Sequence, residues 1–484
     1  MDDSQKTASS REVGGEAGQR GHRDVQFPWE NLAFEGGGAK GYAYIGAIQC
    51  LEEAGIYPGR IRRVAGTSIG SLFATLVALG CSTDYMVSIV PSDFQAIAKD
   101  GSGGRVRSFV RAARARGMHP GQRLYDFLGQ VLTDKAGNPD ITFAQLYEKF
   151  GRELCIPVTN VTRMMTEYCH VKTTPNMSVR LAARTSMSLP VLLQPVEMAS
   201  GRSSREGEVG DVYVDGGLLC NNPTHAFDGW WLSMRKENTF LRRVQPLSKA
   251  SEQYPRSARF SPPNDRTLGF TLFSESEADI TRGWVSSALR MPARPKTPAA
   301  TRRELEEESR RELSSIHEPI QRLVTFLDDV DSNEDGRIDI GELQAAIERS
   351  GVTEAELVQA FGSADPRIIF AHVDTDDDDT IDFNEILEFL ESIGIDVTTQ
   401  LVGFPARHPR TVLDFALNML EAVSRDLTRA NFHSIDRDRT VPINTDYVGT
   451  TTFDLEREDL QFLIQTGRDH TRSFLDEWTR LQRP

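Results

Sequence analysis

Cysteine is scarce in this sequence. Five residues in 484, Cys50, Cys81, Cys155, Cys169 and Cys220, show neither the paired spacing of a metal site nor the even number of a disulfide framework. Structural thiols in a reducing compartment are the expectation. Long apolar runs are also missing: the longest, Leu72 to Leu79 with its neighbours, falls far short of the roughly 20 residues a membrane span requires. Residues 1–26 have no apolar stretch of the kind a signal peptide carries, and their Gly, Ser, Gln and charge read as a disordered tail. Nor is there an excess of positive charge, since 55 Lys and Arg face 70 Asp and Glu for a net charge of −15. A cytoplasmic protein is expected, with no nucleic-acid partner, no transmembrane segment and only peripheral contact with membranes. With 39% hydrophobic and 26% charged residues it can build a large core and more than one unit.

One further absence removes a function. Gly36-x-Gly38-x-x-Gly41 fits the dinucleotide fingerprint, which needs an acidic residue at the end of the next strand. That strand ends in Val64-Ala65-Gly66, and the nearest acids, Glu52 and Glu53, lie on the intervening helix.

What is present is concentrated between Leu32 and Ser71. An apolar strand (Asn31 to Phe34) runs into the glycine turn Glu35 to Gly41, a helix to Ala54, a second strand (Ile61 to Ala65) and Gly66-Thr67-Ser68-Ile69-Gly70, which opens another helix. Both turns aim unpaired N–H groups of a helix N-terminus at one place above the sheet, where negative charge is stabilised. In the second turn the flanking glycines permit a tight elbow that lifts the Ser68 hydroxyl clear of the helix, as a nucleophile requires. Further on, Pro157 to Val161 and Thr166 to Val171 read as strands, and Val179 to Pro190 as a helix stopped by proline. Val212 to Leu218 is a strand whose end delivers Asp215 to a glycine turn, a suitable place for a site in an open α/β sheet.

With Glu35-Gly36-Gly37-Gly38-Ala39-Lys40-Gly41, Gly66-Thr67-Ser68-Ile69-Gly70 and Asp215-Gly216-Gly217 in this order, the sequence resembles the patatin-like phospholipases. The resemblance takes in Ala183-Arg184-Thr185-Ser186 to Pro195-Val196, Asn222-Pro223 and Val448-Gly449-Thr450-Thr451, and covers most of the chain from Trp29 outside the inserted parts. It departs at Glu35, where Asp is more usual, a change that keeps the charge. The resemblance implies a three-layer α/β/α hydrolase and a Ser-Asp dyad without a catalytic histidine. Ser68 would attack an ester carbonyl, Asp215 would take its proton, and the Gly36-Gly37-Gly38 turn, chiefly the N–H groups of Gly37 and Gly38, would hold the oxyanion. Composition leaves a Ser-His-Asp triad open, with His225 as the rival base.

Two stretches of different character follow. From Arg105 to Arg123 there are six arginines and no acid, with Val106, Phe109, Val110 and Ala113 at helical spacing. This reads as a surface helix or as a membrane-facing one. Arg242 to Arg266 reads as a long excursion before the strand Leu268 to Phe273, and Met291 to Pro298 as a proline-stiffened linker.

The segment from Asp331 to Glu342 then places oxygen ligands at the calcium-loop positions: Asp331, Asn333, Asp335, the Arg337 carbonyl, Asp339 and Glu342, with Gly336 at the sharp turn. A second loop repeats the frame with Asp374, Asp376, Asp378, Thr380, Asp382 and Glu385, but Asp379 replaces the turn glycine and must adopt a left-handed conformation at some cost. Two EF-hands binding Ca2+ are expected, the second more weakly. Between Glu318 and Ile395 there are 21 acids and 4 bases, net −17, whereas the rest of the chain holds 49 acids and 51 bases. The acidity of the chain therefore belongs to this module.

The expected organisation is a tail (1–26), the first part of the catalytic domain (27–290), a linker and charged helix (291–317), the EF-hand pair (318–395) as an all-α insertion, and the resumed catalytic domain (396–484). The function expected is hydrolysis of phospholipid or lysophospholipid acyl esters under calcium control, the calcium being regulatory or structural and not part of the chemistry. Triacylglycerol lipase or general esterase activity stays open because the motifs specify acyl transfer and not the headgroup. So does a calcium-sensing scaffold that has lost its chemistry.

Overall fold

The computed structural model describes residues 27–89, 116–198, 210–275, 284–285, 289–305, 307, 323, 336–376, 378–392, 412–431 and 434–482. The N-terminal tail, residues 105–115 of the basic stretch, and Asp331, Asn333 and Asp335 of the first acidic loop lie outside the described residues.

The α/β fold is built on one mixed sheet. Strands β1 (Asn31–Phe34), β2 (Arg63–Gly66), β4 (Glu153–Asn160), β9 (Thr267–Phe273) and β10 (Thr440–Asn444) run parallel in the order β10-β9-β1-β2-β4. Three further strands complete it through antiparallel pairings: β5 (Met165–His170) and β8 (Asp211–Asp215) on β4, and β7 (Val196–Met198) on β8. The short strands β3 (Gly117–His119) and β6 (Val191–Leu193) form a separate pair.

The register on β4 makes the site. β5 covers Cys155–Asn160 along one edge of β4. On the other edge β2 pairs with Glu153–Cys155 and β8 with Val158–Asn160, running in opposite directions. The two strands therefore approach head to head, and their C-terminal ends meet across Ile156 and Pro157. The sequence places Asp215 at the carboxyl end of a strand in an open sheet; the structure adds that this strand arrives from the opposite side.

The two faces of the sheet are dressed differently. Leu32, Phe34, Val64, Leu154 and Phe270 face helices α1 (Ala43–Glu53), α2 (Ile69–Ala78), α3 (Thr83–Ile89), α4 (Gln122–Ala136), α5 (Phe143–Phe150) and α6 (Val179–Ser186) in the main core. Ala33, Ala65 and Cys155 face Phe227, Leu232 and Phe260, so the excursion between β8 and β9 covers this side with short turns and aromatic side chains.

After β9 come α7 (Ile340–Ser350), α8 (Glu354–Phe361), α9 (Pro366–Val373) and α10 (Phe383–Ser392), then α11 (Val412–Asn431), β10 and α12 (Arg457–Leu481). Helices α7 to α10 share their own small core, Ile338, Leu343, Leu357, Ile369, Phe370, Val373, Ile381 and Phe389. The two acidic loops are joined by paired backbone hydrogen bonds between Ile338 and Ile381, 3.0 and 2.9 Å.

The C-terminal part belongs to the main sheet. β10 adds to β9 in parallel register, and α12 packs along α1 so closely that a Cβ on Gly46 would stand 1.7 Å from the Ile464 carbonyl oxygen, and one on Gly467 1.9 Å from that of Ala43. Phe27 and Trp29 stack beside Phe474 and Trp478 with centroids 5.3 to 6.0 Å apart. The proline-rich stretch is strapped down: Thr297 Oγ1 donates to buried Asp459 at 2.6 Å, and Arg294 pairs with Asp446 and Glu307. Among the described residues no helix is long and apolar enough to cross a membrane.

Candidate active site

The first component is the elbow after β2. Thr67 fixes it from both sides, its N–H on the Phe34 carbonyl at 3.2 Å and its Oγ1 on the Cys220 carbonyl at 2.9 Å. Ser68 then takes φ 51° and ψ −127°, a conformation that costs a non-glycine residue about 1–3 kcal/mol and persists only where its surroundings enforce it. They do so here. Gly70 lies so near β1 that a Cβ would come within 2.4 Å of the Phe34 carbonyl oxygen, and the Ser68 N–H donates to Ser186 Oγ at 3.0 Å, which itself donates to the Pro157 carbonyl at 2.7 Å. The Ser68 side chain stands half-buried at the start of α2.

Asp215 meets it from β8. Ser68 Oγ donates to Asp215 Oδ2 at 2.7 Å, and the Gly217 N–H donates to Oδ1 at 2.7 Å. The Asp215 N–H is itself held by the Ser188 carbonyl at 3.0 Å. The carboxyl is 2% exposed. Burial pushes its pKa up from 3.8 to about 7, against the two hydrogen bonds, which lower it.

The glycine turn after β1 forms the facing wall. Its Glu35 carboxylate acts as a strut: Oε2 accepts from Thr271 Oγ1 and, at 3.0 Å, from the Leu272 N–H, while Oε1 accepts from Asn221 Nδ2 at 3.0 Å. Lys40 Nζ reaches the Leu272 carbonyl at 2.9 Å. The Gly36 N–H donates to the Asn221 carbonyl at 3.0 Å, so of the three glycines expected at an oxyanion this one has its N–H already engaged. Gly38 adopts φ 54°, and a Cβ there would stand 2.1 Å from the Thr450 carbonyl oxygen, so the Val448 to Thr451 stretch backs the turn directly.

His225, the rival base, points elsewhere. Its Nε2 is 2.8 Å from the Tyr168 hydroxyl and its Nδ1 2.6 Å from Arg256 Nη2. Burial, followed by the charges of Arg256, Arg439 and Arg259, holds its pKa well below the usual range. A ring whose Nδ1 accepts from a guanidinium is neutral with its proton on Nε2.

In the second acidic loop Asp374, Asp376 and Asp378 bring carboxylate oxygens within 4.8 Å of one another. Asp379 has φ 65°, the counterpart of Gly336 at 75°. Glu385 is turned onto backbone N–H groups of Thr375, Asp376 and Asp382, and Arg337 contacts Asp378 and Thr380 across the pair. Asp339 and Glu342 cap α7 reciprocally.

A serine on a tight elbow after one strand thus meets an aspartate at the end of another, beneath a glycine-rich turn. Residues 32–228 match the family model of the patatin-like phospholipases, and the chain carries a patatin-like phospholipase domain. It is 30% identical over 200 residues to the uncharacterized protein R571 of Acanthamoeba polyphaga mimivirus, covering 41% of this chain and 61% of that protein. To the probable lipid hydrolase 463L of invertebrate iridescent virus 6 it is 23% identical over 195 residues, covering 40% and 62%. The chain thus spans about three fifths of the length of these relatives. Among solved structures it is similar to VipD from Legionella pneumophila, at 15% identity and a TM-score of 0.41, covering 93% of this chain and 67% of that one.

Proposed function

We propose that the chain is a lipid acyl hydrolase of phospholipase A or lysophospholipase type that works through Ser68 and Asp215 alone and is regulated by calcium at an inserted EF-hand pair. The observation that carries this reading is the 2.7 Å hydrogen bond between a half-buried serine held at positive φ and a buried carboxyl. As Asp215 takes the hydroxyl proton, Ser68 Oγ bonds to the ester carbonyl carbon, and the oxyanion develops toward the Gly37 and Gly38 N–H groups. Collapse breaks the ester C–O bond, and the leaving alcohol receives the proton from Asp215. Water then attacks the acyl-serine, giving its proton to Asp215, and releases the fatty acid with Ser68 restored. Burial of Asp215 supports the assignment, because a carboxyl with a pKa near 7 is a stronger base than an ordinary one and is still about half ionised at neutral pH.

For calcium the support is chemical. Three aspartates converge, and Asp374 Oδ1 is buried with no hydrogen-bond partner among the described residues, as an oxygen meant for a cation would be. Asp374, Asp376, Asp378, the Thr380 carbonyl, Asp382 and Glu385 would hold one ion, and Asp331, Asn333, Asp335, the Arg337 carbonyl, Asp339 and Glu342 the other. Bound calcium supplies charge neutralisation to a strongly acidic module.

The hydrolase reading is tested with a fluorophosphonate probe and a short-chain ester. Mass spectrometry is expected to find the adduct on Ser68, and Ser68→Ala to lose turnover by roughly three orders of magnitude or more. Unchanged hydrolysis by a folded Ser68→Ala protein would overturn the reading.

A further inference from the structure

The family match ends at residue 228, yet the turn that carries Asp215 is also held from far outside it. Helix α11 lies against the Gly216–Leu218 turn and against β6. From it Ser424 Oγ donates to the Gly217 carbonyl at 2.6 Å, a contact between residues 207 apart in the chain. Gly217 is the residue whose N–H donates to Asp215 Oδ1. Asn221 also crowds it, since its Oδ1 would be 2.8 Å from a Cβ at Gly217. A glycine has no side chain with which to fix its own peptide planes, so its orientation depends on these outside contacts.

We propose that Ser424 is a positioning residue for Asp215: by gripping the Gly217 carbonyl it keeps the Gly217 N–H on Oδ1, and so keeps Oδ2 on the Ser68 hydroxyl. The inference rests on the Ser68–Asp215 reading and gives a helix beyond the insertion a direct part in the site. The effect runs through hydrogen-bond geometry. The influences acting on the Asp215 carboxyl are burial, the Ser68 hydroxyl and the Gly217 N–H. The charged neighbours of Ser424 on its own helix are Arg425, paired with Glu421, and exposed Asp426. A hydrogen bond donated to a carboxylate favours its ionised form, so loosening the Gly217 N–H raises the proton affinity of Asp215.

The test compares the parent with Ser424→Ala and Ser424→Thr on a soluble short-chain ester between pH 5 and 9. Ser424→Ala is expected to lower kcat about 3- to 10-fold at pH 7 with KM unchanged, and to move the low-pH limb upward by on the order of half a pH unit. Ser424→Thr, which keeps the hydroxyl, is expected to restore both. A second arm needs no activity. The stabilisation produced by Asp215→Asn, read as a melting-temperature difference at pH 7, should be larger in the Ser424→Ala background than in the parent. A lower melting temperature with an unchanged limb and an unchanged Asp215→Asn difference would make Ser424 a structural brace only and overturn the inference. A parent without Ser68-dependent hydrolysis would instead remove the hydrolase reading, and the melting arm would still decide the role of Ser424.

Discussion

Asp215 lies in surroundings that oppose its charge. Because its folded pKa, about 7, lies above the ordinary 3.8, the folded state holds a proton that the unfolded chain has released over that interval. The group's stabilising contribution is therefore complete below about pH 4 and is lost as pH rises through about 7. Asp215→Asn removes the ionisation while keeping the shape. We expect it to be more stable than the parent at pH 8, by at most about 4 kcal/mol, with the difference closing toward pH 4, as chemical denaturation at several pH values would report. A difference independent of pH would mean that the carboxyl titrates alike in both states. At this scale the sequence reveals what local chemistry announces. Ser68 stands between glycines that an elbow requires, and Asp215 before glycines at a strand end. The groups that hold Ser68 and the glycine turn at Glu35 were not legible. Ser186, Asn221 and Thr271 lie 118, 186 and 236 residues from their partners Ser68 and Glu35, and a serine or asparagine carries no mark of what it will meet.

Elements were legible where periodicity is local. β1, β2 and β9, and the helices after both motif turns, fall within a few residues of their expected places because each is an apolar run bounded by glycine or a polar break. Direction and register were not. Nothing in Val212 to Asp215 says that the strand runs back along the same edge of β4 that β2 occupies, and this shared edge is what brings Asp215 to Ser68. The proline-rich stretch from Met291 to Pro298 reads as a spacer by composition, yet a single buried hydrogen bond from Thr297 to Asp459, together with Ala299 and Ala300 in the main core, fastens its end to the domain.

Across the whole molecule, charge separates what the sheet joins. One mixed sheet takes strands from both sides of residues 318–395, which carry a net charge of −17, while the remainder is nearly neutral. Self-repulsion of that density is relieved by cations. Calcium is expected to stabilise the insertion by about 2.7 kcal/mol at a hundredfold excess over Kd. Titration calorimetry should resolve two binding steps, with Glu342→Gln removing the tighter and Glu385→Gln the weaker, since Asp379 holds its left-handed turn where the first loop has Gly336. Loss of the tighter step in Glu385→Gln would reverse that ranking, and the absence of any calcium-dependent heat would remove the EF-hand reading.

The central claim is that Asp215, and no histidine, activates Ser68. It is tested most directly by kcat/KM against pH on a short-chain ester for the parent, Asp215→Asn and His225→Gln, each with its melting transition intact. The account predicts a parent limb near pH 7 set by the buried carboxyl, a loss of roughly three orders of magnitude in Asp215→Asn, and activity within a few-fold of the parent in His225→Gln, whose imidazole is engaged with Tyr168 and Arg256. An inactive but folded His225→Gln protein beside an active Asp215→Asn would contradict it.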